Sequence, residues 1–292
     1  MRKVILTVAP TGGVASKEQN EHLPVQPSEI AEDVVKCYEV GASIAAIHAR
    51  SPDGSATCDP SIYTDINNRI RNRCDIIINN STGGGIGGDM DKKLPDGRIE
   101  TDWNERLKGI EGEGVEMATF DCFTTSISFN EQTYLLDTSM DRCHELGQLM
   151  QEKGIKPEWE VFAPTHIETV KSLIESGYDQ PPYYINIVLN GHRAFQDGIS
   201  YRPAVLQNMV DMLPENTQFN VSAIGAAQLP ATTQAVAMGG NLRVGLEDNH
   251  YYAEGKLATN IEFVERAVRI IRELGHEPAT PSEAREMLNI GE

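Results

Sequence analysis

The chain has 292 residues, 40% of them hydrophobic, and a formal net charge of −18 at neutral pH. Nucleic acids and anionic membrane surfaces would repel such a chain, so both are disfavoured as partners. The acidic residues are spread along the sequence rather than gathered in a tail, which indicates a solvated acidic surface. The length suits one large α/β domain.

The N-terminal residues and the cysteines bear on the compartment. The apolar run within MRKVILTVAP is too short for a signal peptide core or a membrane span. The five cysteines form no Cys-x-x-Cys pair, so neither a disulfide framework nor a thiolate zinc site is indicated. We therefore expect a cytoplasmic protein with reduced thiols.

Short apolar runs alternate with longer helical patterns along the whole chain. The predicted strands are residues 4–8, 44–48, 76–79, 116–119, 159–162, 184–188, 218–222 and 242–246. The predicted helices are residues 27–40, 60–72, 101–108, 140–153, 166–175, 202–212, 227–238 and 260–274. Eight strand–helix units favour a (β/α)8 TIM barrel over a doubly wound sheet. We predict one domain over residues 1–292, with a short C-terminal helical extension that begins at Thr280.

Polar residues follow four of the predicted strands, at the end of a barrel where catalytic groups lie. Thr11 follows the first strand, His48 ends the second, Ser81-Thr-Gly-Gly-Gly85 follows the third, and Glu247-Asp248 follows the eighth. A lone histidine in an apolar run is more often a satisfied core residue than a ligand. The repetition at strand ends nevertheless favours a site.

The segment NLRVGLEDN, residues 241–249, carries two adjacent carboxylates. Strand alternation would place Arg243 and Glu247 on one side and turn Asp248 toward the rim. Neighbouring carboxylates raise one pKa unless a cation compensates, and Arg243 or a metal could be that cation. The alternative is an acid pair that caps the next helix.

The turn from Ser81 to Gly85 offers backbone N–H groups that no side chain obstructs. Such turns bind a carboxylate, a phosphate or a developing oxyanion. The alternative is a flexible loop.

Five segments together resemble the β-keto acid cleavage enzymes. They are VAPTGG, LPVQPSEIAEDVVKCYEVGASIAAIHARSPDG, INNSTGGG, GGNLRVGLEDN and ATPSEAREML, and they span nearly the whole chain. The resemblance implies a TIM barrel that forms a homo-oligomer, with a tetramer favoured, and that holds a divalent metal, normally zinc. It also implies a reaction in which a β-keto acid and acetyl-CoA become acetoacetate and a new acyl-CoA.

The resemblance also assigns residues of this sequence to roles. Glu247 and His48 match metal ligands, and Asp248 matches the proton-abstracting aspartate with Arg243 as its partner. The substrate contacts are assigned to Ser81, Thr82, Gly83, Thr119 and Thr11. The phosphates of CoA could meet basic residues such as Arg50 and Arg193.

Two positions depart from the family pattern. Ala46 stands where the family has the first histidine of a His-x-His pair, whereas catalytic zinc usually keeps three protein ligands. His250 is the nearest substitute by sequence. Alternatively, His250 is a surface-loop histidine that binds no metal. The alternative function is then a barrel that binds β-keto acids or acyl-CoA without turning them over, although the retained Arg243, Glu247 and Asp248 favour the active enzyme.

The second departure is Val14, where the aminohexanoate-cleaving members carry an acid that holds the substrate's amino group. An apolar side chain cannot pair with an ammonium group, so we predict a substrate without a positive charge at that end.

Overall fold

A computed structural model describes residues 1–129 and 131–291. Eight parallel strands close into a barrel in which each strand pairs with the next along the chain and the eighth pairs with the first. The strands β1 to β8 are Leu6–Val8, Ile44–Ile47, Ile77–Asn80, Met117–Asp121, Lys156–Val161, Tyr183–Leu189, Thr217–Ala223 and Asn241–Val244. The chain is therefore a single-domain (β/α)8 TIM barrel, as predicted.

Helices follow the barrel strands and cover its outer face. The helices α1 to α9 are Pro27–Glu39, Pro60–Arg71, Trp103–Leu107, Met140–Lys153, Pro164–Glu175, Pro203–Asp211, Gln228–Ala237, Asn260–Glu273 and Pro281–Leu288. Side-chain caps fix several of their starts: Asp59 accepts from the backbone at the start of α2, and Thr259 and Thr280 form capping boxes with glutamates three residues on. Each predicted helix is present, with ends shifted by a few residues.

The interior of the barrel changes character along its axis. At its N-terminal end, fully buried apolar residues pack together beneath helix α9, which contributes Ala284 and Leu288. They include Ile5, Ile44, Ile77, Met117 and Tyr184. This apolar layer closes the bottom of the barrel and leaves the C-terminal ends of the strands as the open face.

Above that layer the barrel interior is polar. Asn79 donates to Glu158, Asn220 donates to Asn186, and Asn186 in turn donates to Glu160 at 3.1 Å. Aliphatic side chains usually fill this position in a TIM barrel. Because unpaired polar atoms are costly when buried, we infer that this layer serves the site above it rather than the fold.

The hydrophobic pattern did not reveal several shorter strands. A four-stranded sheet, built from Asp91–Lys93, Ile99–Thr101, Thr125–Phe129 and Gln132–Leu136, lies on the loops that follow β3 and β4. Two short hairpins, Ala49–Arg50 with Ala56–Thr57 and Tyr251–Ala253 with Lys256–Leu257, lie on the loops after β2 and β8. These strands add structure to the open face, because they are insertions in the loops that surround it.

Within the described parts of the chain, no helix combines the length and the apolar composition that a bilayer crossing requires.

Candidate active site

Arg243 lies on β8 with 4% of its surface exposed, and its guanidinium contacts three carboxylates. Nε and Nη2 donate to the two oxygens of Asp248 at 3.0 and 2.8 Å. Nη2 also donates to Glu247 Oε1 at 2.8 Å, and Nη1 donates to Glu160 Oε1 at 3.1 Å. Three acids from two strand ends therefore share one cation, with Asp248 and Glu160 buried and the Glu247 side chain 15% exposed.

Asp248 does not turn toward the rim, so that prediction is wrong. Strand β8 ends at Val244, and the N–H of Asp248 then donates to the Gly245 carbonyl at 3.3 Å, which folds the chain back. The side chain of Asp248 lies against Arg243, and only 2% of the residue is exposed. The alternative of a helix cap is wrong as well, because Thr259 caps the next helix.

The carboxylates of this cluster differ in their affinity for protons. Burial alone would raise the pKa of Glu247, but the charge of Arg243, together with His48 and Arg50, outweighs burial and lowers that pKa to about 2. Burial raises the pKa of Asp248, and the negative Glu247 adds to that effect against the opposing charge of Arg243. Asp248 is therefore the stronger base of the adjacent pair.

Glu160 has a higher affinity for a proton than Glu247 or Asp248. Its pKa is raised well above the ordinary glutamate value by burial, against the charge of Arg243. Its Oε1 accepts from both Arg243 and Asn186, so Oε2 remains for a proton. Of the three acids, Glu160 is therefore the one whose protonated form burial favours most.

His48 directly follows β2 and has an orientation suited to metal binding. Its Nδ1 lies 3.0 Å from the Gly84 carbonyl oxygen, which can only accept, so the ring proton is on Nδ1. Nε2 therefore faces Glu247 Oε1, 3.5 Å away, as a donor when the ring is protonated and with its lone pair when the ring is neutral. A backbone carbonyl that orients a histidine in this way is typical of metal ligands.

Two residues of the cluster fit a divalent metal. Two ligands at zinc distances of roughly 2.0–2.2 Å lie about 3.4 Å apart across a tetrahedral ion, close to the separation of His48 and Glu247. The other oxygen of Glu247, Oε2, is buried without a hydrogen-bond partner, and a cation would satisfy it.

A third protein ligand is not found in residues 1–129 and 131–291, where no group of three histidine, cysteine or acidic side chains could hold a metal. Ala46 lies on β2 beside Asn79 and supplies no donor. His250 therefore does not join His48 and Glu247 in such a group. Its backbone carbonyl accepts from Asn20 and from the N–H of Ala258. Its Nδ1 is buried there without a partner.

The turn after β3 uses its own N–H groups, so the prediction of free donors is wrong for them. The Ser81 hydroxyl oxygen accepts from the N–H groups of Gly83 and Gly84 at 3.1 and 3.3 Å, and the N–H of Gly85 donates to the Gly83 carbonyl. Because Ser81 Oγ accepts twice, its proton remains available to donate. Ser81 is thus the group of this turn that can bind an acceptor.

The glycines of the site allow close packing rather than anion binding. A Cβ on Gly13 would lie 2.5 Å from the Gly84 carbonyl oxygen, and one on Gly83 would lie 2.8 Å from a carboxylate oxygen of Asp121. A Cβ on Gly12, whose φ is +65°, would meet Glu247 at 2.6 Å. Only glycine lets the loop after β1 lie against both the Ser81 turn and the carboxylates.

Several predicted contacts are used within the protein. The Thr82 hydroxyl donates to the Thr119 carbonyl at 2.8 Å, while the Thr119 hydroxyl accepts from the N–H of Thr82 and keeps its own proton. Thr11 is fully buried and donates to the Pro24 carbonyl, away from the site. Arg50 donates to backbone carbonyls, including that of Gly12 at 2.7 Å, so it holds loops rather than CoA.

The sequence reasoning missed Glu160 and Asp121, which lie at the ends of β5 and β4. The signal was present in Lys156–Val161, where Glu158 and Glu160 alternate with Trp159. Two acids at a spacing of two in a buried strand must share its inner face. That pattern predicts a charged barrel interior.

Comparison with known proteins gives one family. The family model of the beta-keto acid cleavage enzyme matches residues 3–290. A 3-keto-5-aminohexanoate cleavage enzyme of Fusobacterium nucleatum is 36% identical over 99% of both chains. A 3-dehydrocarnitine:acetyl-CoA trimethylamine transferase of Rhizobium meliloti is 30% identical over 99% of this chain and 97% of its own.

A solved structure supports the fold. The apo structure of ObcA superposes with a TM-score of 0.74 at 18% identity and covers 93% of this chain. The present chain spans 66% of the length of ObcA. At this identity the likeness concerns the barrel alone.

Substitution of Arg243 by methionine tests whether this cation holds the cluster together. We expect Arg243→Met to lower the free energy of unfolding at pH 7 by about 3–5 kcal/mol, because it leaves buried carboxylates uncompensated. In the native protein, Glu247 has a folded-state pKa of about 2, below its unfolded value. Its contribution is therefore complete above the unfolded pKa and is lost as the pH falls toward 2.

The variant should show the opposite trend, because without Arg243 burial raises the carboxylate pKa values and protonation relieves the strain. Its stability should increase from pH 7 to pH 5, measured by urea unfolding with tryptophan fluorescence. Arg98→Met, which removes an exposed arginine paired with Asp96, is the control and should leave the midpoint unchanged. Equal pH profiles for the native protein and Arg243→Met would contradict the assignment.

Proposed function

The chain belongs to the beta-keto acid cleavage enzyme family, and on that premise we propose which of its residues carry the reaction. The enzyme combines a β-keto acid with acetyl-CoA and releases acetoacetate and a new acyl-CoA. The observation that supports our assignment most directly is Asp248, a buried carboxylate held on both oxygens by Arg243 beside the stronger acid Glu247. The relatives are named for turnover, so nothing in them supports the alternative of a barrel that only binds.

Asp248 is the proposed base. Its pKa is raised by burial, which brings the carboxylate closer to the working pH and makes it a better proton acceptor than an exposed aspartate. Arg243 holds it in place through two hydrogen bonds and keeps it ionised. Asp248 then takes the proton from C2 of the β-keto acid and returns it to acetoacetate at the end.

Ser81 and Thr119 are the proposed contacts for the substrate carboxylate. The oxygens of both hydroxyls already accept backbone N–H groups, which fixes them and leaves their protons to donate. A carboxylate is the acceptor that such preoriented donors favour. Thr82 and Gly83 support this role from the backbone.

His48 and Glu247 are the proposed metal ligands. A divalent metal, with zinc as the expected ion, would supply Lewis acid stabilisation of the enolate charge at this position. Support comes from the fixed tautomer of His48 and the unpartnered oxygen of Glu247. Because Ala46 leaves the protein with two ligands, we propose that binding is weak without substrate.

The new bonds form without any further cofactor. The C2 carbanion attacks the thioester carbonyl of acetyl-CoA, and CoA thiolate leaves. The thiolate then attacks the original ketone, and cleavage of the adjacent carbon–carbon bond yields acetoacetate and the remaining acyl group as its CoA ester. The residues around C2 bind and orient the substrate and transfer its C2 proton.

We also propose that the enzyme works in the cytoplasm as a homo-oligomer. The cytoplasmic assignment is supported by the five cysteines, all of which lie in described segments and are free. The oligomer is an expectation from the family, in which a tetramer is favoured.

Asp248→Asn tests the base. We expect kcat to fall by roughly 10²–10⁴-fold, because the amide cannot accept the C2 proton, while KM changes little. In the native enzyme kcat/KM should decline on the acid side with an apparent pKa above 3.8, the ordinary aspartate value from which the pKa of Asp248 is raised. The readout is acetoacetate formation from acetyl-CoA across a pH series.

The matched control is Asp179→Asn, which removes a buried carboxylate paired with Lys156 far from the carboxylate cluster. It should reduce stability and leave kcat within about twofold. A native-like kcat in Asp248→Asn would exclude the aspartate as the base.

The metal proposal is tested by equilibrium dialysis against Zn²⁺ with elemental analysis. We expect a β-keto acid to tighten metal binding by about tenfold or more, because its carboxylate and keto oxygens add donors to the two from the protein. His48→Ala should abolish specific binding, and His250→Ala should bind as the native protein does. Unchanged metal affinity in His48→Ala would contradict the site.

Substitution of Val14 tests whether the preferred substrate is uncharged at the end opposite its carboxylate. It lies on the loop after β1, two residues from Gly12, and is 39% exposed. We expect the native enzyme to prefer neutral β-keto acids, and Val14→Glu to raise the relative kcat/KM for an amino-substituted one by roughly three- to tenfold. Val14→Gln, of similar size but uncharged, should not. A native preference for amino-substituted substrates would overturn the proposal.

A further inference from the structure

A cavity of about 540 Å³ lies beside the carboxylate cluster and is not part of it. Its wall includes Gly225 and Asn249, and the N–H of Gly225 donates to the backbone carbonyl of Asp248 at 2.7 Å. The cavity therefore opens next to the proposed base, on the side of the loops after β7 and β8. The mechanism above leaves this space unused.

The remaining wall of the cavity combines apolar surface with one arginine. Leu229 and Tyr251 contribute the apolar surface and are 39% and 52% exposed. Arg266 lines the cavity from helix α8, and its guanidinium lies 4.3 Å from the ring centre of Tyr252. Glu254 is the acid of this wall.

Arg266 and Arg269, three residues apart on helix α8, have no direct ion-pair partner in the described part of the chain. Both arginines donate to Tyr252, Arg266 to the carbonyl at 2.8 Å and Arg269 to the hydroxyl at 3.2 Å. Within residues 1–129 and 131–291 neither forms an ion pair with a carboxylate, although the chain has 43 acidic and 25 basic residues. Burial lowers the pKa of Arg266, and Arg269 lowers it further.

Neighbouring arginines repel each other. In a chain of net charge −18, a carboxylate paired directly with each arginine could offset that repulsion. Two arginines without a direct carboxylate partner are suited to an external anion, since arginine binds phosphate through its planar fork of donors. Lys256, 4.5 Å from the same Tyr252 ring, adds a third positive charge but is paired with Glu262. The exposed ring of Tyr251 offers a stacking surface for a base.

We propose that this cavity binds the nucleotide end of CoA, with its phosphates on Arg266 of the wall and on Arg269, which lies outside the wall and contacts the hydroxyl of Tyr252, and with the thioester arm directed past Gly225 toward Asp248. The inference rests on the proposed function, because it names the surface that presents the thioester to the base. Phosphates that face these arginines also resolve how an acidic protein binds a highly anionic cosubstrate. Arg50 cannot serve in this way because its donors are taken by backbone carbonyls.

The test is titration calorimetry of the full-length protein with CoA, and with pantetheine, which lacks the nucleotide. We expect Arg266→Gln to weaken CoA binding by about tenfold and Arg269→Gln by about threefold or more. Pantetheine binding should be the same in all variants. Glu254→Gln, which removes negative charge from the same wall, should leave CoA binding equal or tighter.

Arg272→Gln is the control, because Arg272 lies on the same helix but is paired with Glu277. Arg269 is exposed, so Arg269→Gln carries the test if Arg266→Gln does not fold. If the native protein turns over substrate and both variants bind CoA normally, this inference alone is overturned. The same holds if the variants change only the oligomeric state and keep the native CoA affinity. A native protein that neither binds CoA nor forms acetoacetate would overturn the proposed function with it.

Discussion

The sharing of Arg243 among three carboxylates is the interaction on which the site depends. A single guanidinium fixes Asp248 with two bonds, Glu247 with one and Glu160 with one. One positive charge cannot neutralise three negative ones, so the three acids differ in proton affinity: the pKa of Glu247 is lowered to about 2, that of Asp248 is raised, and that of Glu160 is raised well above its ordinary value. Different proton affinities of neighbouring acids are what allow one to bind a cation and another to accept a proton.

The barrel supports this cluster by dividing its interior into two layers. Apolar side chains beneath helix α9 stabilise the closed end, whereas amides and acids occupy the layer that carries Arg243. The upper layer is costly: one oxygen of Glu158 and the carbonyl oxygens of Asn79 and Asn220 are buried without partners. Hydrophobic residues of similar volume often stabilise a protein more than such groups do. Their presence is therefore explained by the chemistry at the open face and not by folding.

The sequence predicted the barrel because its strands are buried on both faces and appear as apolar runs at regular intervals. It placed the start of β5 three residues too late, since Lys156, Pro157 and Glu158 are not apolar, although Glu158 points into the interior. The short strands in the loops were missed because they are exposed and lack the pattern. Hydrophobicity identifies what contacts the outer helices but not a polar interior.

The candidate residues could be predicted from their positions at strand ends, but their contacts could not. Alternation along β8 fails for Asp248 because the chain folds back at Gly245, which a strand pattern cannot foresee. The N–H groups of Gly83 and Gly84 donate to the Ser81 hydroxyl oxygen, and the sequence pattern does not indicate these hydrogen bonds. Asp248, Glu247 and Glu160 outnumber the one guanidinium that all three contact, and a β-keto acid is itself an anion. The cation that we propose at His48 and Glu247 would offset the repulsion between these acids and the substrate, even though Ala46 contributes no ligand to hold it.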